Sequence, residues 1–538
     1  MLCLCHSQLY YLLSILNHKE PLMSQLPDYV AYAKPNPTSQ RISWLTTTAA
    51  MYAGVMLWFV FWEGIPTGGQ AFLGGVLTQG LGLAIFALVI AALINHFLFF
   101  LVPGLLGMKS GFTLTVVGTS TFGVRGGYFM PGLLMGLLQL GWLSVSAHAS
   151  GLLLTSLMSG QELPIVRDAA ILSGVGILRS VIAVAWIVVA TFVGMKGAKY
   201  VGMLASIVPF IPIAVLILLL VSTIGGIGKF SQDILMVDGP QKAKVAWDQK
   251  AQENPQSKEI QETAAKAANF AAQAKPVTLF GNQSLGVFSL ILTYVIGFFA
   301  TAGAAGVDVG ANNKNGMAIQ WGGLVGIILT TCLTGIIAFV AVVGSQHSLP
   351  DHLLATYNVT SLFESIFQNK MLTYLCMLLL ALVAFPSSCF PALLSANAFR
   401  TTFPKVNLNV SCGVGVLVAC FLAVSGLAGR AGDVFTVIGA SFGPICGAMA
   451  ADYLLAGRKW AGPRDGFNIP GWVAWFFGFI VGGVTLVVEK FFGMTMPFEI
   501  PCPPLAAFVV GFALYFLFAK AGYESKVLDL PQRIDNLK

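Results

Sequence analysis

The sequence places an acidic residue, Glu63, where an apolar stretch gives way to glycine and proline at Gly64 and Pro66. A charge inside a bilayer costs roughly 3 kcal/mol or more, and backbone released from a helix there must find other hydrogen-bond partners. An acid beside a broken membrane helix therefore indicates a cavity lined by protein. Four roles are open for Glu63: to bind an amine-bearing ring, to carry a proton, to strengthen a cation site, or only to pair with another helix.

A second group of polar and aromatic residues lies on one face of a predicted helix. At about 100° per residue, Gln139, Trp142 and Ser146 fall within roughly 60° of one another. An indole beside an amide and a hydroxyl can stack on a planar ring and hydrogen-bond its edge. The pattern predicts a site for a planar ring, and the alternative is that Gln139 and Trp142 only join neighbouring helices.

A pair of hydroxyl groups, Ser387 and Ser388, follows Pro386 and precedes Pro391. Neutral oxygens, and carbonyls loosened by proline, are ligands that a small hard cation prefers. Serine pairs also cap or bend membrane helices by hydrogen bonding to the backbone. From the residues alone, cation binding and a structural role are equally supported.

The composition indicates what kind of protein must position these residues. Of 538 residues, 56% are hydrophobic and 9% are charged, against about 25% charged residues in an ordinary soluble domain. Apolar stretches of about 20 residues are long enough to cross the hydrocarbon core. The sequence predicts an all-α polytopic membrane protein with about twelve spans, numbered here in chain order: 43–63, 72–102, 129–157, 171–194, 198–224, 284–306, 319–344, 371–396, 411–428, 434–455, 470–488 and 503–519.

Basic residues orient the predicted bundle. With the amino terminus inside, most outer loops are poor in basic residues, whereas the internal segments hold Lys34, Arg41, Lys109, Arg125, Lys196, Lys199, Lys314, Arg400, Lys405, Arg458, Lys459 and Arg464. This asymmetry follows the positive-inside rule and predicts that both termini are cytoplasmic. We interpret the net charge of +7 as a sign of topology in a bacterial inner membrane, and not of a nucleic-acid partner.

The chain divides into three predicted parts. Residues 1–42 form a cytoplasmic N-terminal segment, in which Met23 is an alternative start because a polar lead-in follows it. Residues 43–455 form a transporter core of ten helices, with a polar outside insert at about 232–283 whose composition favours helix. Residues 456–538 add two helices and a cytoplasmic C-terminal tail.

Spans 1 and 6 share a feature that predicts an internal repeat. If spans 1 to 5 are repeated upside down by spans 6 to 10, the first helix of each half should be discontinuous and should build a site near the midplane. Span 1 breaks at Glu63, and span 6 is rich in small residues from Gly297 to Asp308. Glycine in membrane helices also permits close packing, and that alternative is open for either span taken alone.

Other classes of function find less support in the sequence. A passive channel and a membrane-integral enzyme are the alternatives from another class. For an enzyme, the sequence lacks a nucleophile and a base at a plausible spacing, and it has no glycine-rich phosphate loop. The nine cysteines show no metal-ligand spacing. The sequence therefore argues against an enzyme.

Several motifs, taken in order along the chain, resemble the nucleobase:cation symporter family. They are Phe61-Trp62-Glu63-Gly64-Ile65-Pro66-Thr67-Gly68-Gly69, Ser120-Thr121-Phe122-Gly123-Val124-Arg125-Gly126, Gln139-Leu140-Gly141-Trp142, Phe298-Phe299-Ala300-Thr301-Ala302-Gly303 and Ala450-Ala451-Asp452-Tyr453-Leu454-Leu455. The similarity covers about residues 44–459 and is greatest to the bacterial cytosine permeases. It implies twelve spans, a five-plus-five inverted repeat with discontinuous first and sixth helices, and alternating access.

The resemblance also implies roles for single residues. Trp142 and Gln139 match the aromatic and amide groups of the third span that hold the nucleobase, and Phe299 matches the aromatic residue of the sixth span that closes over it. The candidate substrate-binding residues are Gln139, Trp142, Ser146, Phe298, Phe299, Ala302 and Glu63.

The same comparison of motifs implies a cation site. Ser387 and Ser388 match a hydroxyl pair that, in sodium-coupled members of the family, binds sodium together with backbone carbonyls of the first span. The corresponding carbonyls here are those of Phe59 and Trp62. The resemblance therefore implies sodium as the coupling ion.

The chain departs from the family in three places. Relatives usually carry a small residue in place of Glu63, the hydroxyl pair precedes Cys389-Phe390-Pro391 instead of polar side chains, and Asp308-Val309-Gly310 lacks the usual arginine. The sequence predicts a secondary active symporter that imports a cytosine-like or purine-like base with sodium. A proton-coupled carrier of a related heterocycle, using Glu63, is the alternative within this class.

Overall fold

The computed structural model describes residues 26–56, 76–159, 174–207, 210–231, 238–273, 282–345, 359–403, 405–429, 431–494 and 500–530. Throughout these residues every regular element is a helix, and the only β-type contacts are two isolated bridges, from Ile42 to Asn313 and from Arg464 to Val527. The prediction of an all-α polytopic protein is confirmed.

Ten helices of the described chain are long and apolar enough to cross a membrane, and they correspond to predicted spans 2 to 8 and 10 to 12. They are Leu81–Ser110, Tyr128–Ser159, Gly176–Met195, Lys199–Lys229 (without residues 208–209), Leu285–Ala304, Gly316–Ser345, Lys370–Thr402, Gly432–Leu455, Ile469–Glu489 and Pro503–Lys520. Span 9 is the shorter helix Leu408–Val424, and the described part of span 1 consists of Leu45–Ala49 and Ala50–Met56. The chain is a multi-pass membrane protein.

Shorter helices complete the described structure. They are Asp28–Ala31, Thr38–Gln40, Val76–Gln79, Leu114–Val117, Thr119–Phe122, Gly306–Gly310, Val359–Phe367 and Leu427–Gly429. The polar insert forms the helices Gly239–Glu253 and Lys258–Gln273, which pack together around Trp247 and Ala267. The insert therefore has a small apolar core of its own, apart from the core of the membrane bundle.

Asparagine side chains fix the first residues of two spans. Asn315 Oδ1 accepts a hydrogen bond of 2.9 Å from Ala318 N where span 7 begins, and Asn369 Oδ1 accepts one of 3.1 Å from Leu372 N where span 8 begins. Such caps satisfy amide groups that the first turn of a helix leaves without a partner. The starting points of these two spans thus follow from local sequence.

The contacts between spans follow the pattern that an inverted repeat of five helices requires. Span 3 packs against its counterpart, span 8. Span 4 packs against spans 3 and 8, and its counterpart, span 9, packs against spans 8 and 3. Span 6 packs against spans 2 and 10, and its counterpart, span 1, packs against spans 7 and 5. Contacts in one half are mirrored in the other, in agreement with the predicted five-plus-five arrangement.

Span 6 is discontinuous near one end. Its long helix, Asn282–Ala304, is followed by a turn at Ala305 and by the short helix Gly306–Gly310. The glycines on this side face span 2, and a methyl group added at Gly310 would overlap the backbone of Gly104. Small residues here allow direct backbone contact between two membrane helices. The interruption of span 6 thus lies at Ala305, near its end, whereas Gly297 to Ala304 are helical, and the alternative of close packing holds for these glycines.

A buried polar network joins two of the sequence motifs at one end of the bundle. Ser120 Oγ donates to one carboxylate oxygen of Asp452 at 2.6 Å, and Arg464 Nη1 contacts the other oxygen at 2.8 Å. Arg464 Nη2 lies 2.7 Å from Glu524 in the C-terminal tail. The side chains of Arg464 and Asp452 are 6% and 4% exposed, so each charge depends on these partners. The network holds span 10 and the tail in one arrangement.

Candidate substrate and ion site

Three aromatic rings from spans 3, 6 and 10 form the wall of the candidate site. The Trp142 ring meets the Phe298 ring edge-on, with centroids 4.6 Å apart and an interplanar angle of 67°, and its centroid lies 5.1 Å from that of Phe435. All three side chains are buried. The structure therefore brings the candidate residues Trp142 and Phe298 into contact, and it adds Phe435, which the sequence analysis did not single out.

The polar groups of the same face of span 3 are buried beside this wall. Gln139 is 2% exposed, and its Nε2 donates to Met135 Sδ at 3.3 Å, which is a weak acceptor. Ser146 is fully buried, and its Oγ has no hydrogen-bond partner among the residues that the structure describes. A buried polar group without a good partner costs about 1–3 kcal/mol. Both groups are therefore suited to bond the edge of a bound ring.

The two adjacent phenylalanines of span 6 face different spans. Phe298 contacts span 3, whereas the Phe299 ring lies 5.6 Å from the Tyr52 ring of span 1. The Tyr52 hydroxyl donates to Ala302 O at 2.7 Å. Phe299 and Ala302 thus belong to the contact between spans 1 and 6, together with Tyr52, which the sequence analysis did not single out.

The two hydroxyls of the candidate cation site differ in the hydrogen bonds that they accept. Ser387 Oγ and Ser388 Oγ both donate to Ala384 O, at 2.7 Å and 2.9 Å. Ser388 Oγ also accepts a hydrogen bond of 2.9 Å from Trp186 Nε1 of span 4. Both protons are therefore directed to the backbone, as in the structural alternative. The lone pairs of Ser387 are engaged by no described donor, whereas one lone pair of Ser388 is already used.

Three of the predicted site residues, Glu63, Phe59 and Trp62, lie outside the described residues. The carbonyl contribution of span 1 and the role of Glu63 therefore stay predictions.

Span 4 contains a buried arginine, Arg179, that the sequence analysis did not single out. Arg179 is fully buried and lies next to Gly151 of span 3. Arginine inside a membrane bundle is rare and commonly belongs to a functional pathway. The sequence feature that could have revealed it is a single charged residue within an apolar stretch, which forms the helix Gly174–Met195 in the structure.

No family model matches the chain, and no curated protein matches it. Its fold is nevertheless that of a class of helical membrane transporters whose solved structures align with almost the whole chain.

Two of these structures are of Mhp1, which is described as a nucleobase-cation-symport-1 family transporter. Mhp1 in a closed conformation with bromovinylhydantoin bound is 17% identical, has a TM-score of 0.60, and aligns over 92% of this chain and 95% of its own. Inward-facing Mhp1 is 15% identical, with a TM-score of 0.61 and coverage of 94% and 97%. The family resemblance of the motifs is confirmed at the level of the fold.

A third structure is that of a Na⁺-coupled sialic acid symporter in a substrate-bound, outward-open state. It is 14% identical, has a TM-score of 0.52, and aligns over 94% of this chain and 96% of its own. All three structures are of transporters.

Proposed function

We propose that the protein is a secondary active symporter that imports a nucleobase, cytosine-like or purine-like, together with sodium by alternating access. The observation that carries this proposal is the burial of Gln139 and Ser146 beside the Trp142 ring. The ring offers a stacking surface, and the amide and hydroxyl offer a donor and acceptors to a polar edge. A planar heterocycle with hydrogen-bonding edges matches this set of groups.

The fold supports transport of such a solute. Mhp1, a nucleobase-cation-symport-1 family transporter, has been solved with bromovinylhydantoin bound. Because the identity is 17%, the likeness supports the arrangement of helices, and the substrate class is argued from Gln139, Trp142 and Ser146 themselves.

The coupling ion is argued from span 8. The free lone pairs of Ser387 are hard oxygen ligands of the kind that sodium prefers. Carbonyls of the first span, predicted at Phe59 and Trp62, would complete the coordination. The sialic acid symporter of similar fold is Na⁺-coupled, which supports the same choice.

A thermal-shift measurement on the purified full chain tests both parts of the proposal. A panel of cytosine, uracil, adenine, hypoxanthine and hydantoin is added in sodium chloride and, in parallel, in choline chloride. We expect the unfolding temperature to rise with at least one base and to rise more in sodium, because ligands that bind the native state stabilise it by mass action. If no base raises it in either salt, the nucleobase assignment is wrong. If the rise is equal in both salts, the sodium assignment is wrong.

The proton-coupled alternative predicts a different result in proteoliposomes. Accumulation would then follow a pH gradient without sodium, and Glu63→Gln would abolish accumulation while preserving substrate exchange. Accumulation driven by sodium at equal internal and external pH would exclude this alternative.

A further inference from the structure

A cavity of about 560 Å³ opens at one end of the bundle, and none of the described candidate substrate or ion residues lines it. Its lining includes Phe129 at the start of span 3, Thr402 at the end of span 8, and Phe467, two residues before span 11 begins. Because spans leave the hydrocarbon at their ends, the cavity lies at the membrane boundary. Its volume is within the range of about 300–1,000 Å³ that is usual for ligand pockets.

The wall of this cavity is mostly apolar and includes aromatic rings in contact with one another. The Tyr128 ring meets the rings of Tyr29 and Phe403 edge-on, with centroids 6.1 Å and 6.0 Å apart. Large apolar side chains of the lining are also partly exposed: Phe129 by 46%, Val406 by 46% and Phe467 by 48%. A group of exposed apolar side chains at the end of membrane spans is suited to contact with hydrocarbon.

Two cationic side chains, Arg125 and Lys405, also line the cavity. Arg125 is exposed, and its guanidinium has no hydrogen bond or ion pair with any residue in the described part of the chain. Its backbone is fixed, because Arg125 N donates to Gly466 O at 2.8 Å. Lys405 Nζ lies 3.0 Å from a carboxylate oxygen of Asp28, and this pair is largely exposed. The Arg125 cation is therefore available to an anionic ligand.

A smaller cavity of about 220 Å³ adjoins the first and carries charge of the same sign. The two cavities share Asp28 and Tyr29, and the smaller one is also lined by Lys34 and Arg400, both exposed. Among the described residues that line the two cavities, four are cationic and one, Asp28, is acidic. Clusters of lysine and arginine next to membrane spans attract anionic lipid headgroups.

We propose that the larger cavity binds an anionic phospholipid. An acyl chain lies against the apolar wall, the phosphate binds Arg125 and Lys405, and Asp28 competes with the phosphate for Lys405. The apolar wall and the place of the cavity at the ends of three spans favour a lipid over a free phosphate ion. The positive-inside pattern predicts that this end is cytoplasmic, so the lipid comes from the cytoplasmic leaflet. The site needs neither a nucleobase nor sodium and does not rest on the proposed function.

Thermal unfolding of the full chain in a neutral detergent tests the site, because a ligand of the native state stabilises it by mass action. Dioleoylphosphatidylglycerol, dioleoylphosphatidylcholine and glycerol phosphate are titrated separately. We expect phosphatidylglycerol to raise the unfolding temperature at lower concentrations than phosphatidylcholine, which has the same chains without net charge. Glycerol phosphate, which lacks the chains, should have little effect. Equal rises with the two lipids, or an equal rise with glycerol phosphate, would overturn the proposal.

Removal of both cations tests where the phosphate binds. We expect Arg125→Gln combined with Lys405→Gln to raise the apparent dissociation constant for phosphatidylglycerol about tenfold and to leave the response to phosphatidylcholine unchanged. Lys196→Gln combined with Lys199→Gln is the matched control, because it removes two exposed cations that are predicted on the same membrane side but do not line the cavity. Equal weakening in the two double variants would show general attraction to anionic lipid and overturn the site.

Asp28→Asn tests the same site in the opposite direction. It removes the competitor for Lys405, so it should lower the dissociation constant for phosphatidylglycerol by about threefold. Unchanged or weaker binding would contradict the assigned place of the phosphate. Native mass spectrometry of the parent and the variants counts bound lipids directly, whatever the stability of a variant. A parent protein that retains no phosphatidylglycerol in preference to phosphatidylcholine would overturn the proposal.

Discussion

Stacking and hydrogen bonding are assigned to different side chains of span 3. We expect Trp142→Ala to weaken binding of every base, because stacking of a base on an aromatic ring contributes about 1–3 kcal/mol. Gln139→Ala should instead change the order of preference among bases, because the Gln139 amide would hydrogen-bond to the polar edge of the base. Dissociation constants for the panel of bases, measured by competition on purified protein, separate the two effects.

Trp321→Ala is the control for this pair. Trp321 lies in span 7 with 51% of its surface exposed, so its removal should leave all affinities unchanged. Uptake that is unchanged in both Trp142→Ala and Gln139→Ala at equal expression would refute the assigned substrate site.

The two serines of span 8 should respond unequally to substitution. Ser387 has lone pairs free for an ion, whereas one lone pair of Ser388 is used by Trp186. We expect Ser387→Ala to raise the sodium concentration for half-maximal uptake more than Ser388→Ala does. Ser180→Ala, which removes a similar hydroxyl bonded to its own helix at 2.8 Å in span 4, should have no effect. Uptake that needs no sodium in the parent protein would rule out this site.

At the scale of elements, the end of span 10 depends on one ion pair. We expect Asp452→Asn to lower the stability of the folded state by about 3–5 kcal/mol, because it leaves the buried Arg464 charge without its main partner. Asp28→Asn breaks a pair that is 50% and 86% exposed and should cost about 0–1 kcal/mol. Unfolding of the purified variants by heat compares the two. Equal, small losses would show that the buried network contributes little.

At the scale of the whole molecule, the mirrored contacts of the two five-helix halves suit a carrier that opens to one side at a time. A carrier loaded with unlabelled base should take up labelled base by exchange in the absence of any ion gradient. A channel would only equilibrate the label, without transient accumulation. Counterflow into proteoliposomes distinguishes the two, and control vesicles without protein set the background. Uptake that shows no overshoot would contradict alternating access.

The class of protein, the helical spans and one face of the site follow from the sequence alone. In hydrocarbon a backbone must satisfy its own hydrogen bonds, so an apolar stretch of sufficient length predicts a helix. The period of that helix places Gln139, Trp142 and Ser146 on one face without any tertiary information. The asparagines at residues 315 and 369 fix where two spans begin for the same local reason.

Tertiary structure alone decided which neighbour each side chain meets. Membrane helices are apolar on every side, so the periodicity of apolar residues does not predict which neighbouring helix a side chain faces. Phe298 faces span 3 and Phe299 faces span 1, and Ser388 faces Trp186. Distant pairs such as Asp452 with Ser120 form only when the bundle packs. The close approach of Gly310 in the short helix after span 6 to the backbone of Gly104 in span 2 is likewise a property of the packed bundle and not of the motif.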